Sequence, residues 1–525
     1  MSSDDGSPTA TGRTIRPRSP RGILATELVE RFSLRPRADR SAATVLLTGV
    51  TLDSRDVRPG DLYAAIPGSR RHGADFAADA VSRGAVGILT DPTGASRLAI
   101  DQLGVPVWVS ERDPREILGE VAATVYGTTG GGALTFGVTG TNGKTSVIYL
   151  LAELLRAAGR TVGLSSTAER RIGDVVISSA LTSPEAPELH ALLARMTEEG
   201  VDSVAIEVSA HAVARHRIDG VRFNVVGFTN FSHDHLDDFA NMDAYFAAKR
   251  ALFAPAHAER GVVVVDSPAG RRLVRESEIP MTTLATEYGA DADWHLAITR
   301  QDLDGVSFAL QGPGGAHFTG RVPVFGRFMA ENAALALIML HEAGIPLERV
   351  AAGLTRGLIP VYIPGRLEAI NPGGTGPRFY VDYGHTPGSF QAMLDALGEV
   401  VEGRVIFMFG ADGDRDTTKR AEMGRIAAAG ADVLIICDYH PRTEDPAEIR
   451  SQLLAGARTA ARATVYEEAD PRAAIRLAIS LAEPGDVILY AGPGHEDYQE
   501  VAGQHLPFSA RDEVRGALRE AGYAQ

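Results

Sequence analysis

Cysteine is nearly absent from this sequence: Cys437 stands alone among 525 residues. No intrachain disulfide can form, and a structural zinc held by thiolates is excluded. That scarcity fits a reducing compartment, and a cytoplasmic location is expected. Long hydrophobic runs are missing too, so neither a bilayer span nor a membrane partner is expected. The N-terminal stretch, rich in Ser, Pro, Arg and Gly, has no apolar h-region, and Asp4 and Asp5 do not suit a transit peptide. Residues 1–21 read as a disordered tail. Positive charge is in deficit: 52 Lys and Arg against 67 Asp and Glu give a formal charge of −15, which argues against a nucleic-acid groove. There is no internal repeat and no heptad seam.

What is present is an ordinary globular composition, 44% hydrophobic with a mean hydropathy of −0.04. The chain is too long for one hydrophobic core, and its patterning divides it into three domains. The stretch Ala133 to Leu155, ALTFGVTGTNGKTSVIYLLAELL, organises the rest. Ala133 to Val138 reads as a strand, Ser146 to Leu155 repeats apolar residues at helical spacing, and a glycine-rich loop lies between them. Strand, loop and helix N-terminus aim backbone N–H groups at one point, which makes a phosphate site. Lys144 adds a point charge for the outer phosphates, and the Thr145 hydroxyl can reach a magnesium ion. The strict P-loop pattern fails, because Val138 stands where its first glycine belongs. Thr139 to Ser146, TGTNGKTS, is the variant that resembles the ATP loop of the Mur ligases, so nucleoside triphosphate binding is expected.

Ahead of the loop, over residues 22–130, strands at Val45–Val50, Asp61–Ala65 and Val86–Leu89 alternate with helical pattern such as Ala74–Arg83. Over 131–362, apolar strands at Val201–Val208, Val225–Phe228 and Gly261–Val265 alternate with helices. This predicts a doubly wound, mostly parallel sheet with ligands at the carboxyl ends of its strands. Ala292–Val324 reads as an irregular β-rich excursion with a GPGG turn. A third, Rossmann-like α/β unit over 363–525 has strands at Phe379–Asp382, Val405–Phe409, Val433–Cys437 and Val487–Tyr490.

Glu207 ends a strand in SVAIEVSAH, and FTNFSHDHLDDF gathers His233, Asp234, His235, Asp237 and Asp238 after another. Alone, such a cluster reads as a polar helix start. Beside a triphosphate loop it offers ligands for magnesium. The central pattern as a whole resembles the Mur ligases, which implies metal ligands at Thr145, Glu207, His235 and Lys249, with Asn230 a weaker candidate. Lys249, in AYFAAKRALF, falls where the family has a carbamylated lysine. The resemblance also implies ATP contacts from Gly140, Thr141, Asn142, Gly143, Lys144, Thr145 and Ser146 of the loop. Further ATP contacts are implied at Asn332 of ENAALAL, Arg366 of PGRLE, and Asp382 and His385 of VDYGHTPGSF. A family asparagine is lost at Met329.

Thr51 to Gly68, TLDSRDVRPGDLYAAIPG, resembles the uridine-binding domain of the MurE group and implies uracil contacts at Leu52 and Ser54. Asp53 and Arg55 by themselves read as a surface pair. Ser69, Arg70 and Arg71 depart from the family's residues at positions that meet the diphosphate. LTSPE implies muramoyl contacts at Thr182 and Ser183, and EVSAHAVARHR adds Ser209, Arg215 and Arg217. Arg217 offers a bidentate fork to a carboxylate. FGADGDRDTTKRAEMG, HPRTEDP and GPGHEDYQ resemble the segments that bind the incoming amino acid. They give Arg415, Lys419, Arg420, Tyr439, His440, Pro441, Arg442, Gly492 and Glu496. Tyr439 and His440 replace the Asp-Asn pair that accompanies diaminopimelate, and Pro493 replaces a lysine.

The resemblance runs from about Ala25 to Val514. It implies an ADP-forming ligase that adds an amino acid to UDP-N-acetylmuramoyl-L-alanyl-D-glutamate through an acyl phosphate, in peptidoglycan precursor synthesis. ATP and magnesium are the expected cofactors, Lys144, Lys249, His235 and Arg366 the expected catalytic set, and a monomer the expected state. One alternative is a similar ligase of a specialised pathway acting on a different acyl or amine substrate. Another is a nucleotide-binding scaffold without ligase activity.

Overall fold

The computed structural model describes residues 15–37, 44–68, 71–173, 175–178, 181–286, 290–371 and 376–523. Among these, three α/β sheets carry the chain in order. In the first, strands Gly49–Thr51, Asp61–Ala65, Gly87–Thr90 and Val107–Val109 run parallel, and Arg35–Arg37 closes the edge antiparallel. The strand expected over Val45–Val50 is split: Leu46–Leu47 pairs with Ile23–Leu24, and only Gly49–Thr51 enters the main sheet. Thr48 turns the chain between the two by donating its N–H to Gly60 O at 2.9 Å. The helix expected at Ala74–Arg83 starts as a 3-10 turn, Gly73–Phe76, capped by the His72 ring, and becomes α-helical over Ala77–Ser82.

The second sheet has eleven strands, with Leu134–Thr139 between Ser203–Glu207 and Phe223–Phe228. Seven strands, Val162–Ser165 through Trp294–Asp302 in spatial order, pair parallel. In the middle of the sheet, Ser203–Glu207 and Phe223–Phe228 are apolar and buried nearly throughout, as strands covered on both faces are, whereas Trp294–Asp302 near the edge is largely exposed. The region read as an irregular β-rich excursion forms a meander at the edge of the same sheet: Trp294–Asp302, Gly305–Gln311 and His317–Val322 pair antiparallel with one another, with a register shift between Ile298 and Arg300. The chain's path reverses across Leu134–Thr139, so loops leaving three neighbouring carboxyl ends converge there. Behind the sheet, helices Lys144–Ala157 and Arg327–Glu342 pack together, apolar on nearly every side and buried accordingly. The third sheet places Arg378–Asp382, Val487–Ala491, Val405–Phe409, Val433–Ile436 and Thr464–Glu467 in parallel register, with Glu368–Ala369 antiparallel at one edge. Among the described residues, no helix is long and apolar enough to cross a membrane.

Residues 1–14 of the expected tail lie outside the described residues, whereas residues 15–21 are seated. Arg16 donates to both carboxylate oxygens of buried Asp61 at 2.6 and 2.7 Å. The backbone N–H groups of Arg18 and Ser19 donate to Glu198, at the end of the central-domain helix Ala186–Glu198, at 2.7 and 2.8 Å. A carboxylate buried at a strand start needs a cation, and the segment supplies it. Arg16→Met is therefore expected to cost about 3–5 kcal/mol by stranding Asp61. The loss should be read as faster hydrogen exchange in Gly49–Thr51 and Asp61–Ala65, with the third sheet unaffected.

Candidate functional site

The nucleotide-type loop is shaped by glycine at two points. Gly140 and Gly143 hold φ of 147° and 85°, and a Cβ on Gly143 would lie 2.8 Å from Asn332 Oδ1. Asn230 locks the loop from the neighbouring strand end: its carbonyl accepts from Thr141 N and its Oδ1 from Asn142 N, each at 2.9 Å. Helix Lys144–Ala157 then opens directly behind Gly143 without a side-chain cap, so its first N–H groups face the loop. Thr145 Oγ1 donates to Glu207 Oε2 at 3.0 Å. Glu207 also accepts from Thr167 N at 3.0 Å and Thr167 Oγ1 at 3.1 Å, so neutral donors hold its carboxylate.

Two lysines converge on one carbonyl. Lys249 Nζ donates to Gly140 O at 2.6 Å, and Lys144 Nζ to the same oxygen at 3.2 Å and to Thr141 O at 2.9 Å. Burial, aided by the nearby Lys144 charge, pushes the Lys249 amine well below the usual lysine range. Burial also lowers Lys144, against the pull of Glu207 and Asp234. Burial takes the His235 imidazole down to about 3, so it is a neutral donor-acceptor ring at neutral pH. Burial alone would raise Asp234, but Lys419 and His235 outweigh it and hold the carboxyl low.

Across from the loop the third domain completes a cleft of ≈ 680 Å³. Arg366 Nη2 donates to Thr145 Oγ1 at 3.2 Å, and its guanidinium lies 4.4 Å from the Tyr383 ring centroid. Asp382 accepts backbone N–H bonds from Leu367 at 2.7 Å and Gly384 at 2.5 Å, which fixes the turn presenting His385. Deeper in, Glu496 accepts from Tyr439 Oη, from His440 Nε2 at 2.8 Å and from Tyr383 Oη at 3.3 Å. Because Glu500 N donates to His440 Nδ1 at 2.8 Å, the ring proton sits on Nε2. These bonds from His440 and Tyr439 overcome burial and keep the Glu496 carboxyl below its usual range. Arg442 is paired with Asp412 at 3.3 Å and Glu500 at 3.1 Å, while Arg415 is half exposed, 3.7 Å from Asp237.

The expected residues divide by location. The loop from Thr141 to Ser146 lines the cleft with Thr182, Ser183, Glu207, Ser209, Arg215, Arg217, Asn230 and His235. So do Asn332, Arg366, Asp382, His385, Arg415, Tyr439, His440, Arg442 and Glu496. Several of these spend their polar groups on the fold. Ser209 caps helix Ala210–Ala214, Ser183 donates to Glu207 O at 2.8 Å, and Arg217 is paired with Glu185 at 2.9 Å. Lys249 is buried beneath the loop, and Pro441 and Gly492 lie behind the lining. Leu52 and Ser54 are in the first domain and do not line the cleft, with Asp53 and Arg55 forming an exposed pair at 2.7 Å. Ser69 and Arg70 lie outside the described residues, and Arg71 reaches Asp75 at 3.4 Å. Arg420 is turned inward onto Glu444 at 2.8 Å and Asp412 O at 2.7 Å.

Sequence reading passed over Thr167, Ser232, Tyr383 and Asp412, all of which line the cleft. Ser232, Tyr383 and Asp412 fall inside motifs quoted for their neighbours, whereas Thr167 lies outside all of them and only the tertiary fold reveals it. Among the described residues, no three His, Cys, Asp or Glu side chains converge as a protein-only metal cluster. The expected set of Thr145, Glu207, His235 and Lys249 has only two members of those types.

Three family models match the chain: "Mur ligase family, catalytic domain" at 46–126, "Mur ligase middle domain" at 138–340 and "Mur ligase, glutamate ligase domain" at 365–494. A UDP-N-acetylmuramyl-tripeptide synthetase from Leifsonia xyli subsp. xyli is 55% identical, over 97% of this chain and 98% of that protein. A UDP-N-acetylmuramoyl-L-alanyl-D-glutamate–2,6-diaminopimelate ligase from Streptomyces coelicolor is 43% identical, over 90% and 93%. Among solved structures, a UDP-N-acetylmuramoyl-L-alanyl-D-glutamate–2,6-diaminopimelate ligase superposes with a TM-score of 0.63 at 27% identity, covering 93% of this chain and 97% of that one.

One buried histidine, His190, and two partly buried ones, His235 and His495, set an acid limit. Burial lowers His190 and His495 to about 4 and His235 to about 3. The unfolded chain titrates them near 6.5 and so binds protons that the native state refuses. The stability they contribute is complete above about pH 6.5 and is lost as pH falls toward 4. The thermal midpoint is expected to drop between pH 7 and pH 5, and a flat profile across that range would contradict these environments.

Proposed function

The chain belongs to the Mur ligase family, and from that premise we propose that it adds an amino acid to UDP-N-acetylmuramoyl-L-alanyl-D-glutamate in peptidoglycan precursor synthesis. It is an ATP-dependent ligase that acts on small-molecule substrates. One observation carries the proposal: Lys144, Thr145, Glu207 and Arg366 share a single cleft with Arg415, His440, Arg442 and Glu496. A phosphate-binding loop and an amine pocket facing each other are what amide synthesis requires.

In this reading the glutamyl carboxylate attacks the γ-phosphorus, the bond to the ADP oxygen breaks, and an acyl phosphate forms. The amine of the incoming amino acid then adds to the acyl carbon, and phosphate departs as the amine loses its proton. Lys144, the helix N-terminus behind Gly143 and Arg366 stabilise negative charge as it shifts toward the β-phosphate. Glu496, fixed by Tyr439 and His440, presents an anionic face to an ammonium group, and Arg415 and Arg442 suit a carboxylate. Leu52 and Ser54 are assigned to the uracil, and Thr182, Ser209, Arg215 and Arg217 to the muramoyl peptide.

Magnesium would be held by Thr145, Glu207 and His235, completed by phosphate oxygens. The fit is sound: Glu207 is bound by neutral donors and His235 is neutral, while a magnesium triphosphate site needs only one or two protein carboxylates. When bound, the ion would supply charge neutralisation on the transferring group. Burial pushes Lys249 toward its neutral amine, the form that takes up carbon dioxide as a carbamate. A carbamate there would add a carboxylate-like ligand beside the loop. The enzyme is assigned to the cytoplasm as a monomer.

Tyr439 and His440, in place of Asp-Asn, favour a second reading in which the amine differs from diaminopimelate or the pathway is specialised. The test is phosphate release from ATP, magnesium and the UDP-linked dipeptide, screened over a panel of amino acids. Release with one amino acid supports the proposal, release only with another acyl acceptor supports the second reading, and none supports a scaffold. Lys144→Ala is expected to lower amino-acid-dependent ADP release on the order of 10³-fold, and turnover near the wild-type rate would refute its role. Carbon-13 bicarbonate should give a carbamate resonance in the wild type that is absent from Lys249→Met.

A further inference from the structure

Lysine is scarce in this chain. Lys144, Lys249 and Lys419 are its three lysines, and every other one of its 52 basic residues is arginine. All three sit at the loop or on the cleft, and the third takes no part in the steps proposed above. Lys419 Nζ lies 3.2 Å from Asp234 Oδ1, with side chains 10% and 7% exposed, so a third-domain cation and a central-domain anion are buried against each other. The other oxygen of Asp234 is 3.4 Å from His235 Nε2. His235 keeps a backbone φ of 57°, unusual for a residue other than glycine and sustained only by its surroundings.

The neighbours of Lys419 make it rigid. Arg420 is locked onto Glu444, Gln452 and Asp412 O at 2.7–3.0 Å. On the other side, His233 meets Asp416 at 3.2 Å and Thr418 at 3.4 Å, so the whole DTTKR turn is docked on the His/Asp string. A carboxylate that orients a ligating imidazole is the usual outer partner of a metal site. Asp234 stands beside His235 in that place, and it is held from a different domain.

We propose that Lys419 is a positioning residue which, through Asp234, ties closure of the third domain to the metal-facing orientation of His235. This rests on the magnesium reading given above, and it moves Lys419 away from the amino-acid contact implied by its motif.

The test is Mn²⁺ affinity of the full chain in the presence of a non-hydrolysable ATP analogue. Lys419→Met is expected to weaken Mn²⁺ binding about tenfold, lowering kcat while leaving KM for the amino acid unchanged. Asp234→Asn should give the same loss, and Lys419→Met added to it no further loss. Lys419→Gln, which keeps a donor and drops the charge, replaces Lys419→Met if that variant does not fold, with the same loss expected. Wild-type Mn²⁺ affinity in the Lys419 variant, additive losses in the double variant, or a raised KM for the amino acid would overturn the relay. A wild-type protein that takes up no Mn²⁺ with the nucleotide analogue would overturn the magnesium reading itself, and the relay with it.

Discussion

The Thr145 hydroxyl is the point on which the site depends. It accepts from Arg366 Nη2 at 3.2 Å and donates to Glu207 Oε2 at 3.0 Å, so one oxygen joins the third domain, the loop helix and the end of a central strand. A cation, a hydroxyl and a carboxylate in series polarise one another in a buried place. Removing the middle member would leave two charged groups without that partner, which is more costly than the loss of one ordinary hydrogen bond. The parallel pairing of Ser203–Glu207 with Leu134–Thr139 sets the acid beside the loop, and the apolar packing of helix Lys144–Ala157 sets the hydroxyl.

The third domain meets the central one in two unlike ways. At the back, Phe325 packs edge-on to Tyr380 at 5.1 Å and joins the third domain's own core, beside polar contacts of Tyr380 with Leu303 O at 3.2 Å and of Gln301 with Glu399 at 2.9 Å. At the cleft the contacts are polar: Arg366 to Thr145, Thr386 to Asn142 at 3.4 Å, Lys419 to Asp234 and His233 to Asp416. Apolar contact is lost outright when surfaces part, whereas polar groups regain water. The mouth of the cleft is therefore the side where separation is least opposed, which is where substrates must enter and products leave.

How much of this was legible in the sequence depends on the range of the interaction that fixes each residue. The loop, its strand and its helix follow from local periodicity and glycine placement, and the α/β alternation follows from the same rule applied along the chain. Lys249 lies on a helix, Met242–Arg250, whose sequence reads as half polar, and only the fold shows it buried under Gly140. Arg217, 12% exposed, is paired with Glu185 from a distant segment, a partner that no local pattern announces. The same logic seats Arg16 on Asp61. Pairings across dozens of residues leave no local pattern, and they account for the seated segment and the cross-domain contacts alike.

The two loop lysines show what a triphosphate would change. Both now donate to Gly140 O, a neutral acceptor shared between two amines. Phosphate oxygens are anionic acceptors, and a charge-assisted bond is roughly twice as strong as a neutral one. Exchange of carbonyl for phosphate at Lys144 is thus favoured on binding and would relieve the crowding of two cationic groups. Lys249, deeper and held toward neutrality chiefly by burial, cannot follow Lys144 outward without exposing the loop's underside. The same carbonyl therefore separates the roles of the two residues: one amine is free to move onto phosphate, and the other stays where only a change in its own charge can make it a ligand.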